Sequence, residues 1–174
     1  MPRDDRRDRE LFARLAGGDA GALGEIYDHL GAALFRHALA LTRHRADAED
    51  LVQATFLKLA TTGILLLGVR RPASYLHRMV HAAWIDVARR RTMAREEPMP
   101  GDLAAPAGGD TGEALDVRRA LSGLPEPQRE AVVLHVFEGF SFREIGTITG
   151  VPTFTAASRY RLGLERLREV LGEP

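Results

Sequence analysis

An acidic segment rich in proline and glycine divides the 174-residue chain into two stretches. It runs from Met93 to Ala114 and contains three prolines, four glycines and no aromatic residue. Such a composition cannot bury enough apolar surface to offset the entropy that is lost on ordering. We therefore expect a flexible linker at residues 93–113, between two small modules at residues 1–92 and 114–174, each with a modest core.

In both stretches the apolar residues recur every three or four positions, which is the spacing of one face of an α-helix. The pattern is clearest from Ala20 to Thr42. No segment alternates apolar and polar residues as a half-buried strand would. The sequence therefore predicts an all-α protein in both modules. The expected helices cover residues 20–42, 46–61, 73–91, 113–122, 125–138, 142–149 and 154–171.

The charge balance indicates that the isolated chain would hold nucleic acid only weakly. Basic and acidic side chains number 24 each, so the net charge is zero. Residues 1–92 carry 15 basic and 11 acidic side chains, residues 93–113 carry 1 and 5, and residues 114–174 carry 8 of each. Because neutralised phosphates supply most of the sequence-independent affinity, no stretch is basic enough for tight binding by itself.

The chain contains no cysteine, which excludes disulfides and thiolate metal sites and is typical of a reducing compartment. No apolar run has the length needed to span a bilayer. The mixed-charge N-terminal sequence MPRDDRRDRELF lacks the apolar stretch of a secretion signal. We expect a cytoplasmic protein with no membrane partner.

The segment from Ser141 to Leu167 has the pattern of a helix-turn-helix, with two helices broken at Gly150-Val151-Pro152. Ser141 and Glu144 have the spacing of a capping box, which fixes the start of the first helix. The small residue Gly146 suits the point where the helices cross. Contact between the helices is expected from Ile145, Ile148, Gly150, Val151 and Ala156.

The second helix of this motif should have one face packed and one face free. The inward stripe is expected to comprise Ala156, Tyr160, Gly163, Leu167 and Leu171. The outward residues near its start are then Thr155, Ala157, Ser158, Arg159 and Arg161. A free face at the start of such a helix can enter the major groove of DNA.

The two stretches together resemble a known family. The run LPEPQREAVVLHVFEGFSFREIGTITGVP, with SRYRLGLERLRE after it, resembles the C-terminal region of bacterial RNA polymerase sigma factors of the extracytoplasmic-function (ECF) group in the sigma-70 family. The runs LTRHRADAEDLVQATFLKL and RPASYLHRMVHAAWIDVARRR are similar to the N-terminal region of that family. The resemblance covers nearly the whole chain and implies a subunit that binds core RNA polymerase and directs it to promoters. The polymerase would then deliver a chain of zero net charge to DNA.

The resemblance implies a role for each module. Residues 1–92 would bind the clamp region of the polymerase beta-prime subunit and open the minus-ten element, and residues 114–174 would read the minus-thirty-five element. Core binding is carried over to Asp47, Asp50, Gln53 and Lys58. Contact with the minus-ten element is carried over to Arg78, His81, Arg89, Arg90 and Arg91. Contact by the recognition helix is carried over to Thr155, Ser158, Arg159 and Arg161. Trp84 is interpreted as a core residue, and an anti-sigma factor is a further partner that the resemblance allows.

Several positions depart from the family pattern. Ala54 stands where members usually carry a glutamate, and Ala82 where they carry an asparagine. Phe154 and Ala157 replace the usual glycine and lysine of the recognition helix. These departures imply either that the promoter sequence differs or that part of the helix contacts another protein. The apolar run from Ile64 to Leu67 lies where the family captures a flipped promoter base, and it could pack internally or meet another protein.

The sequence gives little support for an enzyme. His77 and His81 have metal-ligand spacing, but no cysteine or nearby carboxylate completes a set, and no phosphate-binding loop or nucleophile motif is present. We expect no enzyme activity, no metal and no cofactor. Two alternatives remain: a stand-alone helix-turn-helix regulator, and a sigma-like adaptor that no longer reads promoters.

Overall fold

The structure, a computed structural model, describes residues 5–94 and 112–172. These residues form eight α-helices and no strand, as the helical periodicity predicts. The N-terminal group comprises α1 (Asp5–Ala16), α2 (Gly21–Thr42), α3 (Arg45–Thr62) and α4 (Pro72–Ala94). The C-terminal group comprises α5 (Gly112–Ser122), α6 (Glu126–Val132), α7 (Phe142–Thr149) and α8 (Thr153–Leu171). The predicted linker lies almost entirely outside the described residues.

Local sequence signals set several helix ends. Pro72 begins α4, where its fixed φ suits the first helical turn. The backbone N–H of Ser141 donates to the Glu144 carboxylate at 2.9 Å, and the Ser141 hydroxyl caps the Glu144 N–H, so the predicted capping box is present. Two short elements and one helix were not predicted: a 3₁₀ turn at Gly63–Gly68, a π turn at Val133–Phe137, and α1. Helix α1 escaped prediction because only Leu11, Phe12 and their neighbour Leu15 mark its buried face.

Helix α2 is the centre of the N-terminal group. It packs against α1, α3 and α4, and Leu34 and Ala38 on its inner face are completely buried. Helix α3 contributes Leu51, Phe56 and Leu59 to the same core. The group therefore presents the outer faces of α3 and α4 to solvent on a rigid base.

The two groups share a buried interface that the sequence did not predict. Helix α4 packs on α7, and α2 packs on α6. The Phe140 ring meets His77 of α4 edge to face, with 4.9 Å between ring centroids. The buried apolar residues of both groups form one continuous cluster, which extends from Leu11 to Ala156.

Arginines reinforce this interface on three sides. Arg36 of α2 makes two hydrogen bonds to the Glu138 carboxylate, at 2.8 and 3.2 Å. Arg71 binds Glu144 at 2.7 Å. Arg129 of α6 is buried and donates to the carbonyl oxygens of Ala40 and Leu124. Burial lowers the pKa of Arg129 to about 10, so it stays charged at neutral pH.

A carboxylate and three histidines lie at the centre of the interface. The buried Glu130 of α6 accepts hydrogen bonds from His37 Nε2 at 2.8 Å and from His81 Nδ1 at 2.7 Å, both at Oε1. His37 Nδ1 lies 3.1 Å from His77 Nδ1. Only one of these two nitrogens can carry the shared hydrogen, so at most one of the two rings is charged while the contact lasts. Glu130 thereby joins α6 to both α2 and α4.

Contacts within the cluster lower the pKa of Glu130 and raise the pKa of His81. Burial disfavours the charged form of Glu130, but the hydrogen bonds from His37 and His81 outweigh it and lower the pKa to about 2. Burial also disfavours protonation of His81, but Glu130 and Glu126 of α6 outweigh it and raise the pKa of His81, against the opposing charge of Arg159 on α8. Both shifts favour the charged forms, a carboxylate at Glu130 beside a protonated imidazole at His81.

We predict that the cluster gives the folded chain a maximum of stability in mildly acidic solution. The raised pKa of His81 contributes stability that is complete below about pH 6.5 and is lost as the pH rises through the raised value. The lowered pKa of Glu130 contributes stability that is complete above about pH 4.5 and is lost as the pH falls toward 2. Chemical denaturation from about pH 3 to about pH 9 should show both declines.

Glu130→Gln should remove most of this pH dependence and lower the free energy of unfolding by about 3–5 kcal/mol, because it breaks a buried pair. His81→Asn should remove the alkaline decline and reduce the acid decline, because Glu130 then keeps the hydrogen bond from His37 but loses the one from His81. Glu49→Gln, which alters an exposed pair with Arg45, should change stability by less than about 1 kcal/mol. An unchanged alkaline decline in His81→Asn would contradict the assignment.

A second prediction concerns Gly146. A Cβ at this position would lie 2.6 Å from the carbonyl oxygen of Val151, so Gly146→Ala forces α7 and α8 apart. We expect a loss of about 1–3 kcal/mol in the free energy of unfolding. The matched control is Gly24→Ala in α2, where a Cβ meets nothing within 4 Å and helix propensity should stabilise the fold slightly. Equal stability for the two variants would contradict the prediction.

Candidate nucleic-acid interface

Helices α7 and α8 form the predicted helix-turn-helix. Gly150 ends α7 in the left-handed conformation, with φ of 70°, and its N–H donates to the carbonyl oxygen of Gly146. Ile145, Ile148 and Ala156 are buried between the helices. The chain can turn this tightly because Gly146 has no side chain to meet the backbone of Val151.

Helix α8 is fixed to α6 by close packing at Gly163. A Cβ there would lie 2.8 Å from Val132 Cγ2 and 3.3 Å from the carbonyl oxygen of Gln128. The Arg166 guanidinium also donates to the Gln128 side chain at 2.8 Å. The inward stripe reaches Leu167, which is half-buried, but the prediction for Leu171 was wrong, because the last turn of α8 is exposed.

The predicted recognition residues are divided between the face of α8 opposite Gly163, which carries Ser158 and Arg161, and its flank, which carries Thr155 and Arg159. Arg161 is exposed, whereas Thr155, Ser158 and Arg159 are half-buried. The charge of Arg159 acts on His81, so this side chain lies on the side of α8 toward the Glu130 cluster. Phe154, the second residue of the helix, has 77% of its surface exposed. Sequence reasoning noted Phe154 as a substitution but left it out of the outward set.

Helix α4 presents a row of arginines. Arg78, Arg89 and Arg90 are exposed, and Arg90 Nε donates to the carbonyl oxygen of Asp86 at 3.2 Å. The other two predicted minus-ten residues are engaged within the fold. Arg91 pairs with Asp47 of α3 at 2.8 Å, and His81 belongs to the Glu130 cluster. Three of the five predicted residues are therefore presented to solvent in this arrangement.

The residues predicted to bind core polymerase lie on α3. Asp50, Gln53 and Lys58 are exposed, and Asp47 is half-buried in its pair with Arg91. Asp47, Asp50 and Lys58 border a groove between α3 and α4, whereas Gln53 borders a second groove toward α2. The structure thus brings one predicted polymerase residue into direct contact with one predicted DNA residue.

The first of these grooves also contains the small substituted positions Ala54 and Ala82 and the aromatic residue Trp84. Trp84 is half-buried and packs against the core, as interpreted from the sequence. With alanine at both substituted positions, the charged side chains bordering the groove are Asp47, Asp50 and Lys58 of α3 and Asp86, Arg90 and Arg91 of α4.

The apolar run between α3 and α4 is partly buried and mostly exposed. Leu66 is buried, whereas Ile64, Leu65 and Leu67 are exposed by 61–74%. The segment Arg45–Gly68, which ends in this run, is long and apolar enough to cross a membrane by length and composition alone. The expectation that no run has spanning length is therefore corrected for this segment. Leu51, Phe56 and Leu59 lie in the folded core, and about a third of its most apolar stretch is buried.

Among residues 5–94 and 112–172 no group of three or more histidine, aspartate or glutamate side chains is arranged so that it could hold a metal ion. His77 and His81, which have metal-ligand spacing in the sequence, face His37 and Glu130 instead. The histidines of α4 therefore have a structural explanation within the fold.

Comparison with known proteins agrees with this geometry. Residues 26–93 match the family model for sigma-70 region 2, and residues 114–167 match the family model for sigma-70, region 4. These two ranges cover nearly all of α4 and most of the helix-turn-helix, respectively. They occur in the order that the sequence analysis expects.

Whole-chain relatives extend the match. The chain is 32% identical to the ECF RNA polymerase sigma factor SigM of Mycobacterium tuberculosis, over 98% of this chain and 87% of the relative. It is also 32% identical to the ECF RNA polymerase sigma factor SigE of Mycolicibacterium smegmatis, over 91% of this chain and 66% of the relative. Its fold is similar to the solved structure of the sigma factor RpoE of Bartonella quintana, in complex with the anti-sigma factor NepR. That match has a TM-score of 0.71 and 26% identity, and it covers 86% of this chain and 98% of the other.

The helix-turn-helix, the row of arginines on α4, the two matched regions and the whole-chain relatives lead to one conclusion. The chain belongs to the ECF group of the sigma-70 family, the sigma factors that direct RNA polymerase to initiate transcription at promoters, and it is not an enzyme.

Proposed function

We propose that this sigma factor divides its work between three segments. Residues 1–92 bind core polymerase and the minus-ten element, and residues 114–174 read the minus-thirty-five element. Residues 93–113 link these two modules. The observation that carries the proposal is the free outer face of α8, held in place by the buried Ala156 and Gly163 on its inner face. Such a face fits the major groove.

Recognition of the upstream element is assigned to the start of α8. Arg161 can bond a guanine edge or a phosphate, and Thr155 and Ser158 can bond bases or phosphates. Arg159 would join them once α4 has moved away. Few cations lie on this face, so its affinity depends on delivery by the polymerase.

The minus-ten element is assigned to α4. Arg78, Arg89 and Arg90 would neutralise phosphates of the opened strand, as cationic grooves for single strands do. Arg91 and His81 would first have to leave Asp47 and Glu130. The minus-ten site is therefore complete only after a rearrangement.

Promoter geometry requires the same rearrangement. The two elements lie about 25 base pairs apart, which is about 85 Å along straight DNA at roughly 3.4 Å per base pair. Helices α4 and α7 touch in the present structure, so the two surfaces cannot reach both elements at once. We propose that the two groups separate when core polymerase binds, and that the interface around Glu130 keeps the free protein compact.

Core binding is assigned to the exposed face of α3, with the clamp region of the beta-prime subunit as its partner. Asp50 and Lys58 offer charges of both signs, and Gln53 adds a hydrogen-bonding amide. Asp47 would become available when Arg91 is released. An anti-sigma factor is proposed as a further partner, since the Bartonella quintana relative was solved in such a complex, and the protein is proposed to act in the cytoplasm.

We predict that Asp50→Arg and Gln53→Ala weaken association with core polymerase, Asp50→Arg by about tenfold or more, because a reversed charge would meet a surface selected for the carboxylate. Co-purification and fluorescence titration with core enzyme would measure the loss. The control is Glu10→Arg, an equal change of charge on the exposed face of α1. Undiminished binding by both α3 variants would exclude this face of α3.

A further prediction concerns α8. Arg161→Ala should weaken holoenzyme binding to a promoter fragment by about 1–3 kcal/mol and leave core binding unchanged. Ala157→Lys should strengthen it and steepen its salt dependence by about one phosphate contact. A salt series would measure both, with Arg168→Ala in the exposed last turn as the control. If both variants behave like the wild type, this face of α8 does not meet DNA.

A further inference from the structure

Helix α8 begins with an exposed aromatic ring on the side that faces solvent. Phe154 is the second residue of the helix and is 77% exposed. The neighbouring rings lie behind the helix and pack on one another: His135 stacks on Phe142 with centroids 4.5 Å apart, and Tyr160 lies 4.6 Å from His135. Phe154 points away from this cluster and toward solvent.

The helical register places Phe154 among residues that can meet DNA. Side chains three or four positions apart share a face, so Phe154, Ser158 and Arg161 form one row. Ala156 and Gly163 are buried on the opposite side and prevent the helix from turning. If the helix enters the major groove by its N-terminal end, as proposed above, Phe154 enters with it.

The chemistry of the groove limits what a phenyl ring can meet there. Adenine, guanine and cytosine present hydrogen-bonding groups, which a ring would strip of water without replacing the lost bonds. Only thymine also presents a methyl group, and apolar side chains recognise it by contact. Ala157 beside Phe154 adds apolar surface where a lysine would have favoured a phosphate.

We propose that Phe154 is a specificity-determining residue, which selects a thymine in the upstream promoter element by contact with its C5-methyl group. The inference rests on the proposed reading of that element by α8. The C5-methyl group is the feature recognised, whichever thymine of the element carries it.

The test removes the methyl group and nothing else. The probe is a promoter fragment recovered by run-off transcription from fragmented genomic DNA with holoenzyme reconstituted from core polymerase and the full chain. Each thymine of its upstream element is replaced in turn by uracil. For the wild type, one replacement should weaken binding about fourfold, the effect of losing one buried carbon group.

Variants assign that loss to the ring. Phe154→Ala should bind the unmodified fragment more weakly and be insensitive to the same replacement, so that the two changes are not additive. Phe154→Leu, which keeps an apolar side chain, should retain part of the sensitivity. Because Phe154 is exposed, neither change should disturb the fold, and helicity and core binding should match the wild type.

Other outcomes overturn the inference and separate its failure from that of the proposed function. If Phe154→Ala keeps the full sensitivity to uracil, or if no replacement matters, the ring does not read a methyl group, while the response of Arg161→Ala still shows that α8 binds DNA. If Phe154→Ala loses core binding instead, the ring meets protein. If neither Phe154→Ala nor Arg161→Ala alters promoter binding, the proposed role of α8 fails as well.

Discussion

The compact form of this sigma factor depends on the buried carboxylate of Glu130. A charge so deeply buried is costly unless it is paired and fully hydrogen-bonded, and here the partners come from two other helices, His37 of α2 and His81 of α4. The histidine of each helix can reach Glu130 only if α2, α4 and α6 hold one mutual arrangement. That requirement, together with the apolar contact of α4 with α7, fixes where the candidate DNA surfaces lie.

This arrangement conflicts with the proposed use of the same residues on a promoter. His81 and Arg91 are engaged with Glu130 and Asp47. Helix α4, which would read one element, also packs against α7 of the helix-turn-helix that would read the other. A buried ion pair contributes little net stability over an apolar substitute, although breaking one partner is costly. An interface of this kind suits a contact that must form specifically in the free protein and be given up to a larger partner. The polymerase would supply the free energy of opening through its own contacts with α3.

The face proposed to read the upstream element is less cationic than phosphate binding alone would favour. Its row consists of an aromatic residue, a hydroxyl and one arginine: Phe154, Ser158 and Arg161. Phosphate contacts position a protein and base contacts give specificity. A sigma factor is positioned by the polymerase, so its recognition helix can carry more base-reading character and less charge. The same reasoning explains how a chain of zero net charge can act on promoters.

The sequence by itself determined the all-α class, most helix limits and the helix-turn-helix, because these follow from local periodicity, the Ser141–Glu144 capping box and the glycines of the turn. It also identified the family, through two motifs in the right order. Only the tertiary structure decided that the two groups of helices share a core, that Arg91 meets Asp47, and that three histidines from distant positions converge with Glu130. Contacts between residues that are 40 to 102 positions apart leave no periodic signal in a single sequence. The exposure of Phe154 likewise depended on the packing of Gly163 against α6, which sets the rotation of the helix.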